Sequence, residues 1–226
     1  MDPLVNTSET TRAFNEWRWV DRDQRAFLTL GLKFARAAYQ QLWDEIGQEP
    51  SDGETEQEEV FDQRVGGLWP HDYDWMHLAA VVRDAVTSFE VYVGKACREV
   101  LLANGAEPVN EPGWRDLKEI FELLELNVEP NSVKRIRKVR HVLTHQRGEL
   151  RTEDQRRQYA LDPEEPIPSY VIELNEERVL GMLDELAQVV RAIDTVACRY
   201  TWHHERSRAL STYIRGRMRD EAEREM

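Results

Sequence analysis

A chain of 226 residues, 41% hydrophobic and 32% charged, is long enough to bury a core without disulfide or metal staples. A formal net charge of −13 argues against a sequence-blind coat on duplex nucleic acid. Two distant cysteines, Cys97 and Cys198, give no disulfide framework, and Met1-Asp2-Pro3-Leu4-Val5 has no signal-peptide pattern. The longest apolar run near the middle, residues 78–82, cannot cross a bilayer, so a soluble cytoplasmic protein with no membrane partner is expected.

Apolar residues recur at helical spacing almost throughout, which predicts an all-α fold. The expectation is a bundle of four to five helices with a small β-hairpin insertion near 156–174, all in a single domain spanning 1–226. A first helix is predicted over about 11–46, with Phe27, Leu30, Phe34, Ala37, Ala38, Gln41 and Leu42 tracing the face expected to meet the core. Gly47 and Pro50 end it, and the acidic stretch that follows reads as a flexible loop over 48–70. A second helix is predicted over 74–103 and a shorter one over 114–126. Pro130-Asn131-Ser132 then opens another. Residues 151–174 read as a loop in which the alternating stretch 169–174 forms a strand paired with 157–160. A last helix starts near 175, and 203–226 is a polar helical extension.

The charge is unevenly placed. Residues 134–157 hold nine basic and three acidic residues, a local +6, which leaves −19 on the remainder. Inside this segment runs Arg140-His141-Val142-Leu143-Thr144-His145-Gln146-Arg147-Gly148. A guanidinium holds phosphate through paired, charge-assisted hydrogen bonds, and an imidazole moves protons near neutral pH. At about 100° per residue, His141 and His145 share a helix face, while Arg140 and His145 lie roughly 140° apart. A second copy of the same helix, antiparallel across a two-fold axis, would complete a pocket.

The arginine, a following polar residue and a histidine after four intervening positions resemble the HEPN ribonuclease signature, with His141 in the polar slot. The strict match covers only 140–145. The resemblance implies a homodimeric all-α protein with both motif copies in an interface cleft, and a metal-independent endoribonuclease of the toxin or antiphage kind. It also implies a cyclic 2′,3′-phosphate and a 5′-hydroxyl as product ends, with no cofactor. Arg140 would then stabilise the pentavalent phosphate, His145 would handle the 2′-hydroxyl or leaving-group proton, and His141 would assist. Arg137, Lys138, Arg147 and Arg151 are the expected RNA contacts. Thr144 and Glu90 are expected in support, with Glu90 holding Arg137 or Arg140 from the second helix. An antitoxin or other regulatory protein is an expected partner, and the acidic loop is a candidate for covering the basic site.

The plainer readings are a solvated helix face and a non-catalytic RNA-binding or regulatory helical module. His141 and His145 also have one-turn metal-ligand spacing, but no glutamate follows His141 and only Glu149 lies near as a third ligand, so no metal is expected. Arg199, His203, His204, Arg206 and Arg208 form a second basic cluster that could add an RNA contact. The seven tryptophans could stack bases, although most read as packing anchors. No glycine-rich phosphate loop supports nucleotide triphosphate use.

Overall fold

The computed structural model describes residues 10–48, 54–106, 112–159, 171–202 and 207–224. Within them the chain is all-α. Eight helices occur: α1 (Arg12–Ile46), α2 (Glu54–Val65), α3 (Pro70–Ala103), α4 (Trp114–Glu122), α5 (Asn131–His145), α6 (Glu153–Tyr159), α7 (Glu176–Thr201) and α8 (Arg208–Arg224). No strand is present among the described residues, and only one isolated bridge, Glu149 with Val171, replaces the expected hairpin.

Several boundaries differ from the sequence expectation, each for a local reason. Residues 157–159, the proposed partner strand, are the end of α6, whose start has Glu153 and Asp154 in the first turn. The stretch 160–170 lies outside the described residues, so of the predicted strand 169–174 only 171–174 is seen, extended and unlaced apart from that bridge. The acidic segment is not all loop. From Glu54 onward it is helical, because Phe61 is buried against Trp43, Tyr39 and Trp69 at ring separations of 5.2, 6.2 and 5.3 Å. The C-terminal extension is a separate helix, α8, that buries Leu210 and Ile214.

The chain divides into two compact units. The first comprises Met1–Asp21, Ala85–Arg137 and Leu183–Met226, and the second Arg22–Asp84 and Lys138–Met182. Unit 1 buries Trp17, Phe89, Tyr92, Ile120, Phe121, Ile136, Val190 and Ile193. The start of α1 is held there by carboxylates from two other helices. Asp194 accepts from the Thr11 amide (3.0 Å) and hydroxyl (2.6 Å), and Glu99 accepts from the Ala13 (2.7 Å) and Arg12 (3.1 Å) amides. Those amides have no partner inside the helix, so acceptors are required at that end.

Unit 2 buries Leu28, Leu32, Leu78, Val81, Val82, Val142, Leu143, Ile172 and Val179. Here the first helix corrects the sequence reading. Phe27, Leu30 and Phe34 are 55%, 48% and 66% exposed, and the inward positions are Gln24, Leu28 and Leu32. Gln24 is tolerated inside because its amide donates to Asp84 at 2.7 Å. Gly31 lies against the buried His77, whose ring occupies the place where a Cβ would stand, so only glycine fits this crossing.

Candidate functional site on the C-terminal half of α5

Helix α5 buries Val133, Ile136, Val139, Val142 and Leu143, the three-to-four spacing of one apolar face. The motif residues between them therefore point elsewhere. His141, Thr144 and His145 are exposed and Arg140 is half-buried. The two imidazoles meet, with ring centroids 4.7 Å apart and planes inclined at 46°. Among the described residues, no ion pair or side-chain hydrogen bond engages Arg140, His141 or His145. A guanidinium without a carboxylate partner beside two unbonded imidazoles can receive an anion.

The end of the motif is fixed more firmly than its exposed side chains suggest. Past His145 the backbone turns left-handed at Arg147 (φ 51°) and Gly148 (φ 82°). The Gly148 amide donates to Val142 O at 3.1 Å, closing the helix, and Gly148 O accepts from Ile172 N at 2.8 Å. The indole of Trp75 on α3 lies flush on Gly148, where a Cβ would stand 2.5 Å from its Cζ2. Its Nε1–H donates to Ile172 O at 2.8 Å. Trp75 thus binds the segment following α5 and the 171–172 strand-like stretch into one joint. Sequence reading grouped Trp75 with the other tryptophans, as a base-stacking candidate or a packing anchor, and gave it no link to the motif. The signal that could have found it is the glycine directly after the motif, which marks both a left-handed residue and a close neighbour.

Lys138 and Arg147 are exposed and, among the described residues, without an ion-pair partner, while Arg151 reaches Glu149 at only 3.8 Å with its side chain 64% exposed. These three share unit 2 with the motif. Arg137 does not. It belongs to unit 1, where its Nε–H donates to Glu90 at 2.8 Å, its Nη1 pairs with Glu129, and its guanidinium carbon sits 4.0 Å over the Trp114 ring. Glu129 also accepts from Trp114 Nε1 (3.1 Å) and Lys118 (2.9 Å). Burial would raise the Glu129 carboxyl, but the hydrogen bonds from Lys118 and Arg137 outweigh it and hold the group below the ordinary range. Arg137, expected as an RNA contact, already has its cation engaged by Glu90, Glu129 and the Trp114 ring. Glu90 meets Arg137 rather than Arg140.

The two cysteines are buried, and burial with the nearby Asp194 pushes the Cys198 thiol up to about 12, far from thiolate chemistry. No group of three or more histidine, cysteine or acidic side chains able to hold a metal occurs among the described residues. No helix there is long and apolar enough to cross a membrane. Of the second basic cluster, Arg199 and Arg208 are exposed, while His203, His204 and Arg206 lie outside the described residues. In comparison with known proteins, the chain matches no family model, no curated protein and no solved structure.

Proposed function

We propose that this protein is a HEPN-like, metal-independent endoribonuclease working in the cytoplasm, of the toxin or phage-defence kind, with Arg140 and His145 as its catalytic residues. The observation that carries the reading is the half-buried Arg140 guanidinium, which meets no carboxylate among the described residues, within a turn and a half of the tilted His141–His145 ring pair on α5. In the reaction an RNA 2′-oxygen attacks the adjacent phosphorus, the new 2′-O–P bond forms, and the P–O5′ bond breaks. His145 takes the 2′-hydroxyl proton or returns one to the departing 5′-oxygen, and Arg140 neutralises the charge that builds on the phosphoryl oxygens. His141 assists, with Thr144 beside it. Lys138, Arg147 and Arg151 supply further phosphate contacts. DNA lacks the attacking hydroxyl and is spared.

A second copy of the chain is the partner this reading assigns to the exposed stripe on α1. Phe27, Leu30 and Phe34 offer roughly 300 Å² of apolar surface, the scale at which an exposed patch on a monomer becomes functional. An antiparallel copy across a two-fold axis through the middle of the stripe would cover Phe27, Leu30 and Phe34 with their own counterparts. An antitoxin or regulatory protein remains a further partner of the basic site.

One observation favours the non-catalytic alternative, a helical RNA-binding or regulatory module. Neither imidazole has a carboxylate or carbonyl to orient it among the described residues, whereas a general base usually has one. RNA cleavage in EDTA separates the two. Cleavage that leaves cyclic phosphates and vanishes in His145→Ala supports the nuclease, and binding without cleavage across varied RNAs supports the module.

A further inference from the structure

Unit 1 carries a second cleft that the motif does not use. Thr10, Arg12, Asn15, Glu16, Trp19 and Trp202 line a space of about 310 Å³, at the small end of ligand-sized pockets. Trp19 and Trp202 are 60% and 55% exposed, an unusual state for two side chains that usually anchor cores. The polar residues around them are arranged in a definite order. Glu16 is satisfied, accepting from Lys95 at 2.6 Å and from Arg12 Nε at 3.0 Å. Those two cations, Lys95 first, hold its carboxyl below the ordinary range. Among the described residues the Arg12 side chain is anchored through Nε alone, and with that side chain 86% exposed its terminal nitrogens are placed to meet an anion. The Asn15 amide donates to Thr10 Oγ1 (3.0 Å) and Thr11 O (3.2 Å), and among the described residues its carbonyl oxygen accepts from none.

Flat aromatic faces, an acceptor and an anchored guanidinium match one nucleotide: the base stacks on indole, its exocyclic amine meets Asn15, and its phosphate meets Arg12. We propose that this cleft is a base-stacking subsite for single-stranded RNA, with Trp19 and Trp202 as the stacking residues and Arg12 as the phosphate contact. The proposal rests on the RNA reading above and adds to it how unpaired RNA is held. The Arg12 guanidinium lining the cleft favours an anionic ligand over the other ligand that stacks on tryptophan, a proline-rich peptide.

The test uses the full chain and fluorescein-labelled single-stranded octamers made with 2′-O-methyl ribose, which cannot be cleaved by 2′-oxygen attack. An abasic octamer of equal charge is the comparison. The wild type should bind the octamer more tightly than the abasic strand. Trp19→Ala and Trp202→Ala should each weaken octamer binding about tenfold without changing abasic binding, and Trp202→Phe should recover most of the loss. Arg12→Ala should weaken both strands. Circular dichroism melts confirm that each variant is folded. Equal binding of octamer and abasic strand by the wild type, unchanged octamer binding in both alanine variants, no octamer binding, or binding of a polyproline peptide instead would each overturn the subsite. Metal-free cleavage of an ordinary RNA octamer, run in parallel, keeps the two ideas apart. Cleavage with no tryptophan effect removes the subsite and keeps the nuclease. A tryptophan effect with no cleavage keeps the subsite and removes the nuclease.

Discussion

Arg137 and Arg140 are the same residue type three positions apart on α5, yet their surroundings have little in common. Arg137, in unit 1, is 26% exposed, paired with Glu90 and Glu129 and stacked on Trp114. Arg140, in unit 2, meets no carboxylate among the described residues and stands next to two exposed imidazoles. A guanidinium whose donors are already taken stabilises the fold, and one whose donors remain open is available to a ligand. The partners, not the residue, distinguish the two.

That contrast breaks most sharply at the motif. His145→Ala and Arg140→Ala should each lower metal-free RNA cleavage by about a hundredfold or more while leaving the melting temperature within a degree or two. Product analysis beside a thermal melt checks both halves, and a variant that cleaves normally removes its residue from the site. Next comes the joint that holds the motif's end. Gly148→Ala forces a side chain into a left-handed backbone and into Trp75, which should destabilise the fold by about 3 kcal/mol in urea unfolding.

Arg137→Ala should do the opposite of Arg140→Ala. Leaving Glu90 and Glu129 without their shared cation should cost about 2 kcal/mol of stability, less than a fully buried pair because all three groups are partly solvated. The cleavage rate of the folded fraction should not change, and a specific catalytic defect with normal stability would return Arg137 to the RNA surface. Phe34→Asp tests the α1 stripe. Sedimentation should show dimer affinity reduced at least about tenfold with helicity retained, and a wild type that stays monomeric at high concentration contradicts the assignment of a second copy.

The smallest effect concerns pH and belongs to unit 1. Burial raises the carboxyls of Glu99 and Asp194 above their ordinary values. The folded chain therefore binds these protons more tightly than the unfolded chain, and this contribution grows more favourable as pH falls through the raised range. Glu16 and Glu129 act in the other direction, since their lowered values give stability that is present above the ordinary carboxylate range and lost below it. Asp194→Asn keeps the acceptor for Thr11 and removes one raised group, so it should lack part of the stability the wild type gains as pH falls from neutral through that raised range. Urea melts at a series of pH values below neutral measure the difference.

The helical class was legible because apolar spacing is a local property of the chain. So were the ends of α1, near Gly47, and the start of α5 after Pro130, since both depend on residues that stop or cap a helix. The exposed, polar side of α5 was equally readable, because its apolar residues leave the motif on the remaining face. The orientation of α1 was not. Its sequence offers two candidate faces, Phe27-Leu30-Phe34 and Leu28-Leu32 with Gln24, and the larger residues are the ones left outside. Only the presence of Asp84 for Gln24 and of His77 against Gly31 chooses between them.

The sequence by itself determined an all-α chain with a local basic segment and an arginine–histidine motif on a helix, since composition, periodicity and capping act over a few residues. Tertiary structure alone decided that Arg137 meets Glu90, Glu129 and Trp114 while Arg140 meets no carboxylate among the described residues. It also decided that Trp75 locks Gly148 and that 157–159 end a helix instead of pairing as a strand. Each of these depends on which distant side chain comes within a few ångströms, and helical periodicity carries no record of that.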